Sequence, residues 1–203
     1  MKTPICLALL VGMAIAAPVH AQTPPGKDPG KAEAGTYAIE PAHTRILFSI
    51  DHLGFSTYYG DFTGASGTLQ LSSPKAAGST LTVSIPVTSV STTNAKLDEE
   101  LRAADWLDAT KFPTMSFKST SVTQTGPDTA TVAGELTLHG VTKPVTLTAK
   151  FHGTGPNPMS KKVTIGFDVT GTIKRSDFGV DKYLPLIGDD VGLIISAAFE
   201  KQG

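Results

Sequence analysis

The sequence predicts an all-β domain of antiparallel strands carrying one short helix. Three observations lead there. Large apolar residues recur at every second position through successive segments, which places them on one face of a strand. The stretches between those segments are rich in Gly, Pro, Asp and Ser, the residues of turns. A single segment in mid-chain changes to helical spacing.

The 203-residue chain opens on Met1-Lys2 and an apolar run over residues 5–17 broken only by Gly12, followed by Val19-His20-Ala21. That is the pattern of a secretory signal peptide over residues 1–21, with cleavage after Ala21 and export to the periplasm. A transmembrane anchor needs about 18 to 20 uninterrupted apolar residues, and this run is shorter. Cys6, the one cysteine, falls inside the removed segment. A mature chain without cysteine has no disulfide, thiol chemistry or Cys-ligated metal.

Residues 22–34, QTPPGKDPGKAEA, have no large apolar side chain and predict a flexible leader outside the fold. Residues 35–203 show no repeat and no further shift in composition, and predict one domain. Of 17 basic residues the signal takes only Lys2, which leaves 16 against 18 acidic ones. The lysines are scattered, apart from Lys161-Lys162 at a predicted hairpin tip. A nucleic-acid binder would show a basic stripe.

The strands follow in order. Ile46, Phe48 and Ile50 alternate with Leu47, Ser49 and Asp51, and Leu81, Val83 and Ile85 with Thr82 and Ser84. Shorter runs at residues 68–71 and 115–117 fit the same scheme. Val132, Gly134, Leu136 and Leu138 form a further set, as do Val145, Leu147, Ala149 and Phe151. Val163, Ile165, Phe167 and Val169 precede the last set: Val191, Leu193, Ile195, Ala197 and Phe199. Turns are predicted at residues 73–75, 126–128, 140–144 and 153–158. Strands with one apolar and one polar face make a sandwich or a closed barrel.

The helical segment is residues 94–106, where Leu97, Leu101 and Ala104 share one side and Asp98, Glu99, Glu100 and Arg102 the other. Asn94 is its predicted N-cap. A lone amphipathic helix must lay its apolar face on something, and the open end of a barrel is such a surface.

Chemistry-bearing residues are sparse. His43, His52, His139 and His152 have no spacing that sets two imidazoles on one metal. The carboxylate groups Asp98-Glu99-Glu100 and Asp189-Asp190 read as a solvated helix face and a turn. No nucleophile elbow, phosphate loop or metalloprotease motif occurs, so no catalysis is predicted. Residues 174–188, KRSDFGVDKYLPLIG, keep neither period yet hold five large apolar side chains besides Tyr183. Such a loop either covers a core or forms the mouth of a cavity, with Arg175 and Asp177 near the polar end of a ligand.

Four stretches in order resemble the YceI-like family: YAIEPAHTRILFSIDHLGFSTYYGDF (residues 37–62), LDEELRAADWLDATKFPTMSF (97–117), GELTLHGVTKPVTL (134–147) and RSDFGV (175–180). One departure is visible, because the family commonly starts its helix with an Arg-Asp pair where this chain has Asn94-Ala95-Lys96-Leu97-Asp98. The resemblance implies an extended, lipocalin-like antiparallel β-barrel of about eight strands with a helix capping one end. It also implies a bound long-chain amphiphile of the isoprenoid, quinone or fatty-amide kind, with no cofactor and no known catalysis. An eight-stranded barrel has room for one small ligand. The expected lining is Phe48, Ile50, Phe62, Leu69, Val83, Ile85, Leu101, Trp106, Phe117, Leu136, Leu147, Phe167, Phe178 and Ile195, with His52, Arg175 and Asp177 as a polar mouth. No nucleic acid and no stable membrane insertion are expected, and self-association into a homodimer is left open. Two alternatives stand beside this: an outer-membrane barrel, which wants an apolar exterior with aromatic girdles, and a solid-cored sandwich or barrel that binds a partner and no lipid.

Overall fold

The computed structural model describes residues 24–72 and 76–203. The signal-peptide reading and the turn at residues 73–75 lie outside the described residues. The strands are β1 (Gly35–Ile39), β2 (Arg45–His52), β3 (Ser56–Phe62), β4 (Ser66–Leu71), β5 (Thr80–Pro86), β6 (Thr114–Gln124), β7 (Thr129–Leu138), β8 (Val141–Pro156), β9 (Val163–Lys174) and β10 (Ile187–Lys201). All pairings are antiparallel, and the order β1-β4-β5-β6-β7-β8-β9-β10 returns to β1. The single sheet closes on itself as a barrel of eight strands, not as a two-sheet sandwich.

The remaining two strands are explained by register. β1 pairs with the C-terminal end of β10 (Tyr37 opposite Lys201, Ile39 opposite Phe199), and β2 pairs with its earlier part (Arg45 opposite Ser196, Ile50 opposite Val191). β1 and β2 therefore lie end to end along one long strand. β4 and β3 lie end to end beside them. Among the described residues β3 pairs with no strand other than β2. Its free edge meets the β5–β6 connection at Asp61 and Ser91, whose amides and carbonyls exchange bonds of 2.8 and 2.9 Å. Where Phe48 stands opposite Gly60, a Cβ on the glycine would lie 2.3 Å from the phenyl ring. Only a residue without a side chain lets that ring fold across the strand pair.

The β5–β6 connection carries helix α1 (Ala95–Arg102). Asn94 caps it through its side-chain oxygen, accepting from Lys96 N and Leu97 N, so the predicted start is met. The helix ends earlier than the spacing suggested. Ala103 is extended, and Trp106 lies beyond it in a run of turns. Buried Asp98 accepts from Thr92 N and Thr92 Oγ1 at 2.6 and 2.7 Å, and Arg102 Nη2 donates to Val90 O at 2.9 Å. These bonds moor the helix to the segment beside β3.

Three expectations are corrected. The turn at residues 140–144 shrinks to His139-Gly140, because β8 starts at Val141. The turn at residues 153–158 is mostly strand: a register shift between Phe151 and Gly153 absorbs an extra residue and lets β8 continue to Pro156. Residues 26–34 are not outside the fold. Gly26 exchanges two main-chain bonds with Thr154, residues 29–31 form a 3-10 turn capped by Asp28, and Ala32 is buried. Proline at the start of a helical turn is pre-organised rather than disordering, which is how a composition typical of linkers becomes a seated strap.

Candidate functional site

The alternating strands send their apolar faces to one interior. In β8, Val145, Leu147 and Phe151 are buried while Thr146, Thr148 and Lys150 are exposed. The interior is not filled. One continuous cavity of about 520 Å³ runs through it, bounded by side chains from the strap at one end to residues 175–187 at the other. That size is usual for a small-molecule pocket. Along β10 the lining extends from Ile187 to Phe199. At about 3.4 Å per residue and a tilt near 40°, that is roughly 30 Å of barrel axis.

Every apolar residue predicted to line the cavity does so except Phe178, and of the predicted polar mouth His52 and Arg175 line it while Asp177 does not. The correction has a local cause. Arg175–Phe178 forms a 3-10 turn ended by Gly179 in the left-handed region. This turn carries Phe178 into the packed core, 1% exposed, without reaching the lumen, and leaves Asp177 exposed. Residues that were not predicted also line the cavity, among them Pro29, Ala32, Tyr58 and Leu97. Leu97 was legible as part of the helix stripe. Tyr58 was masked by its neighbour Tyr59, and Pro29 and Ala32 gave no signal.

Polar side chains line both ends of the cavity, Ser79, Gln124, Asp128 and Thr129 near the strap and His52, Glu100 and Arg175 near α1, and the buried cation is at the α1 end. Arg175 is 4% exposed, and its guanidinium donates from Nε to Gly188 O (2.7 Å), from Nη1 to Val180 O (2.8 Å) and from Nη2 to Ile187 O (2.8 Å). It also lies 5.6 Å from the centre of the Trp106 ring. Burial pushes the guanidinium pKa down, while the charges of Asp189 and Asp181 oppose the shift. Its first role is thus to hold the loop by three main-chain carbonyls, and its second is to present a cation at the lumen. Asp189 fixes the turn from outside, accepting from Ser176 N (2.9 Å) and Ser176 Oγ (2.8 Å). Those bonds, the amide's first, and the nearby Lys174 and Arg175 charges hold its carboxyl below the ordinary value.

A second tie crosses the mouth. Lys182 pairs with Asp105 and lies 3.6 Å from Glu100 Oε1, and its ammonium sits over the rings of Tyr183 and Trp106 at 4.9 and 5.7 Å. Trp106 Nε1 donates to the same Glu100 oxygen at 3.2 Å. The helix segment and the loop are thereby clipped together over the opening. His52 faces the lumen beside Tyr58, ring centres 5.7 Å apart. The rim is apolar: Leu53, Phe55, Tyr183 and Leu186 are exposed, and Leu53 N donates to Leu186 O at 2.9 Å.

The other histidines are apart from one another. His43 pairs with Glu40, His139 stacks edge-on against Phe112, and His152 bonds Asp168 at 2.8 Å. Among the described residues no three His, Cys, Asp or Glu side chains gather where they could hold a metal ion. No helix among them is long and apolar enough to cross a membrane. The apolar lumen and Thr- and Lys-bearing exterior are the inverse of an outer-membrane barrel.

Comparison with known proteins agrees with this architecture. The model of the YceI-like domain matches residues 37–199. Protein YceI of Shigella flexneri is 43% identical over 169 residues, covering 82% of this chain and 87% of the relative. The crystal structure of a Campylobacter jejuni YceI protein superposes with a TM-score of 0.65 at 30% identity, over 76% of this chain and 91% of that one. A polyisoprenoid binding domain from Saccharophagus degradans shares the fold at 14% identity, with a TM-score of 0.59 over 84% of this chain and all of that one.

Proposed function

Because the chain belongs to the YceI-like domain family, we propose that it is a periplasmic carrier or store for a long-chain amphiphile, an isoprenoid, quinone-type lipid or fatty amide, held inside the barrel. The observation that carries this reading is the continuous, mainly apolar cavity running the length of a closed barrel, with a buried cation, Arg175, at one end. Burying methylenes stabilises by about 0.8 kcal/mol each. A chain of roughly fifteen carbons therefore supplies about 12 kcal/mol of gross affinity before the costs of ordering it. The α1 end suits a headgroup: Arg175 offers a buried cation with N–H groups beyond those bound to carbonyls, and His52 and Tyr58 add groups that donate or accept. Nothing in this arrangement resembles a nucleophile with its base, and the reading is of binding, not turnover.

The name of the Saccharophagus neighbour supports the isoprenoid class, and the N-terminal pattern supports export. Native mass spectrometry of protein expressed with its leader and purified from the periplasm without detergent tests both. The expected result is a mature chain starting at Gln22 with an added lipid mass, extractable and identifiable as an isoprenoid or long-chain amide. A bare polypeptide, combined with no uptake of all-trans prenols on titration, would overturn the carrier reading and leave the lipid-free interaction module in its place.

A further inference from the structure

The far end of the cavity is bounded by the β6–β7 turn, with Gln124, Asp128 and Thr129 in the lining, and by a segment that strand periodicity does not reach. Residues 26–34 run across it, and within them only Pro29 and Ala32 are not exposed. Those same two residues line the cavity. The segment is anchored at both ends. Gly26 N donates to Thr154 O at 2.8 Å and accepts from Thr154 N at 2.9 Å, and Lys27 Nζ donates to His152 O at 2.6 Å. Further along, Tyr37 Oη donates to Glu33 O at 2.7 Å, and Glu33 pairs with Lys201. The barrel wall accommodates the crossing: a Cβ at Gly153 would stand 3.2 Å from Gly26 O and 3.3 Å from Pro25 Cβ. Asp28 caps the 3-10 turn through Gly30 N, which fixes the angle at which Pro29 and Ala32 meet the lumen.

We propose that this strap is the floor of the lipid cavity, and that Pro29 and Ala32 set the longest chain the barrel accepts, with the headgroup at the His52 and Arg175 end and the chain terminus against the strap. The inference rests on the carrier reading and deepens it. An extended carbon chain advances about 1.2 Å per bond, as the three backbone bonds of a peptide unit do over about 3.5 Å. Over the roughly 30 Å of lined axis that admits about 25 bonds, beyond which a linear chain must fold back or leave its head outside.

The test uses saturated linear fatty acids of graded length, read by displacement of a fluorescent fatty acid from wild type and from Ala32→Phe. Wild type is expected to bind more tightly with each added methylene up to about 24 carbons and then to plateau or weaken. The ring of Ala32→Phe should lower that limit by roughly four carbons, weakening the longest chains at least tenfold and leaving sixteen-carbon chains unchanged. Because Ala32 is part of a buried cluster, a second measurement uses unaltered protein. Fatty acids carrying a terminal diazirine are photo-crosslinked and mapped by peptide mass spectrometry. Chains near the limit should label residues 27–34, while a diazirine beside the carboxylate should label residues 52–58 or 175–187. An identical length limit in Ala32→Phe, or terminal labels at the α1 end, would overturn the strap's role with binding itself intact. Wild type that binds neither this series nor all-trans prenols would remove the carrier reading, and wild type that binds prenols but no linear fatty acid would overturn the strap's role alone.

Discussion

The barrel wall and the mouth bury their side chains by different means. In the wall, facing is decided by register, so Phe167 lines the lumen and its neighbour Asp168 meets solvent beside His152. At the mouth there is no ladder to decide anything, and each group is held one bond at a time: Arg175 by three carbonyls, Trp106 by Glu100, Lys182 by Asp105. A wall residue is therefore committed by its parity, and a mouth residue by its own tether. Changes in the wall should be read mainly in stability, and changes at the mouth mainly in the rate at which a lipid leaves.

The strongest way to break this contrast is Phe167→Lys beside Asp168→Lys. A charge placed in an apolar lumen costs several kcal/mol unless it finds a partner. Phe167→Lys should unfold the protein or abolish lipid uptake, while Asp168→Lys should stay within about 0.5 kcal/mol of wild type in urea denaturation. Equal tolerance at the two positions would mean that the facing of β9 is wrong.

Arg175→Met probes the mouth at its most buried tether. The three carbonyls of Val180, Ile187 and Gly188 lose their donor, at about 1 to 3 kcal/mol for each that water cannot reach. Loosening of the loop should spare some of that cost. We expect a loss of about 3 kcal/mol together with release of a fluorescent lipid at least tenfold faster. A stability loss with an unchanged release rate would mean that the loop does not gate the cavity.

The smallest effect is expected from pH. The carboxyls of Asp105 and Asp189 sit below the ordinary aspartate value of 3.8, Asp105 chiefly through its hydrogen bond from Lys182 and Asp189 chiefly through the Ser176 amide. A depressed folded-state value means that the ties contribute fully above 3.8 and are lost as the pH falls below it through the shifted values. Lipid release measured by stopped flow should be flat from neutrality down to about pH 4 and rise only below it. A rise already near neutrality would mean that these two carboxylate ties do not control release.

The same contrast governs what could be read in advance. The wall was legible because a period of two is robust: Val145, Leu147 and Phe151, or Ile165, Phe167 and Val169, face inward as alternation requires. Asn94 was legible because capping chemistry is local. Phe178 and Asp177 were misplaced because residues 174–188 have no period, and a 3-10 turn ending at Gly179 set their directions. The strap was missed for a different reason. Pro29 and Ala32 are too small to look like core, and their burial depends on Thr154, distant in sequence. The bulge after Phe151 that prolongs β8 was equally silent.

The closure of the ring carries a kinetic consequence. β10, the last strand, pairs with β9, with β2 and with β1 near the start of the fold. Until residues 187–201 dock, those three strands each have an edge without its partner, and their apolar faces surround no enclosed space. Contacts this distant in sequence are slow to form, and open edges beside apolar faces are where folding chains associate wrongly. The enclosed chamber therefore requires the docking of residues 187–201, and until then an unfinished copy exposes those edges and apolar faces to its neighbours.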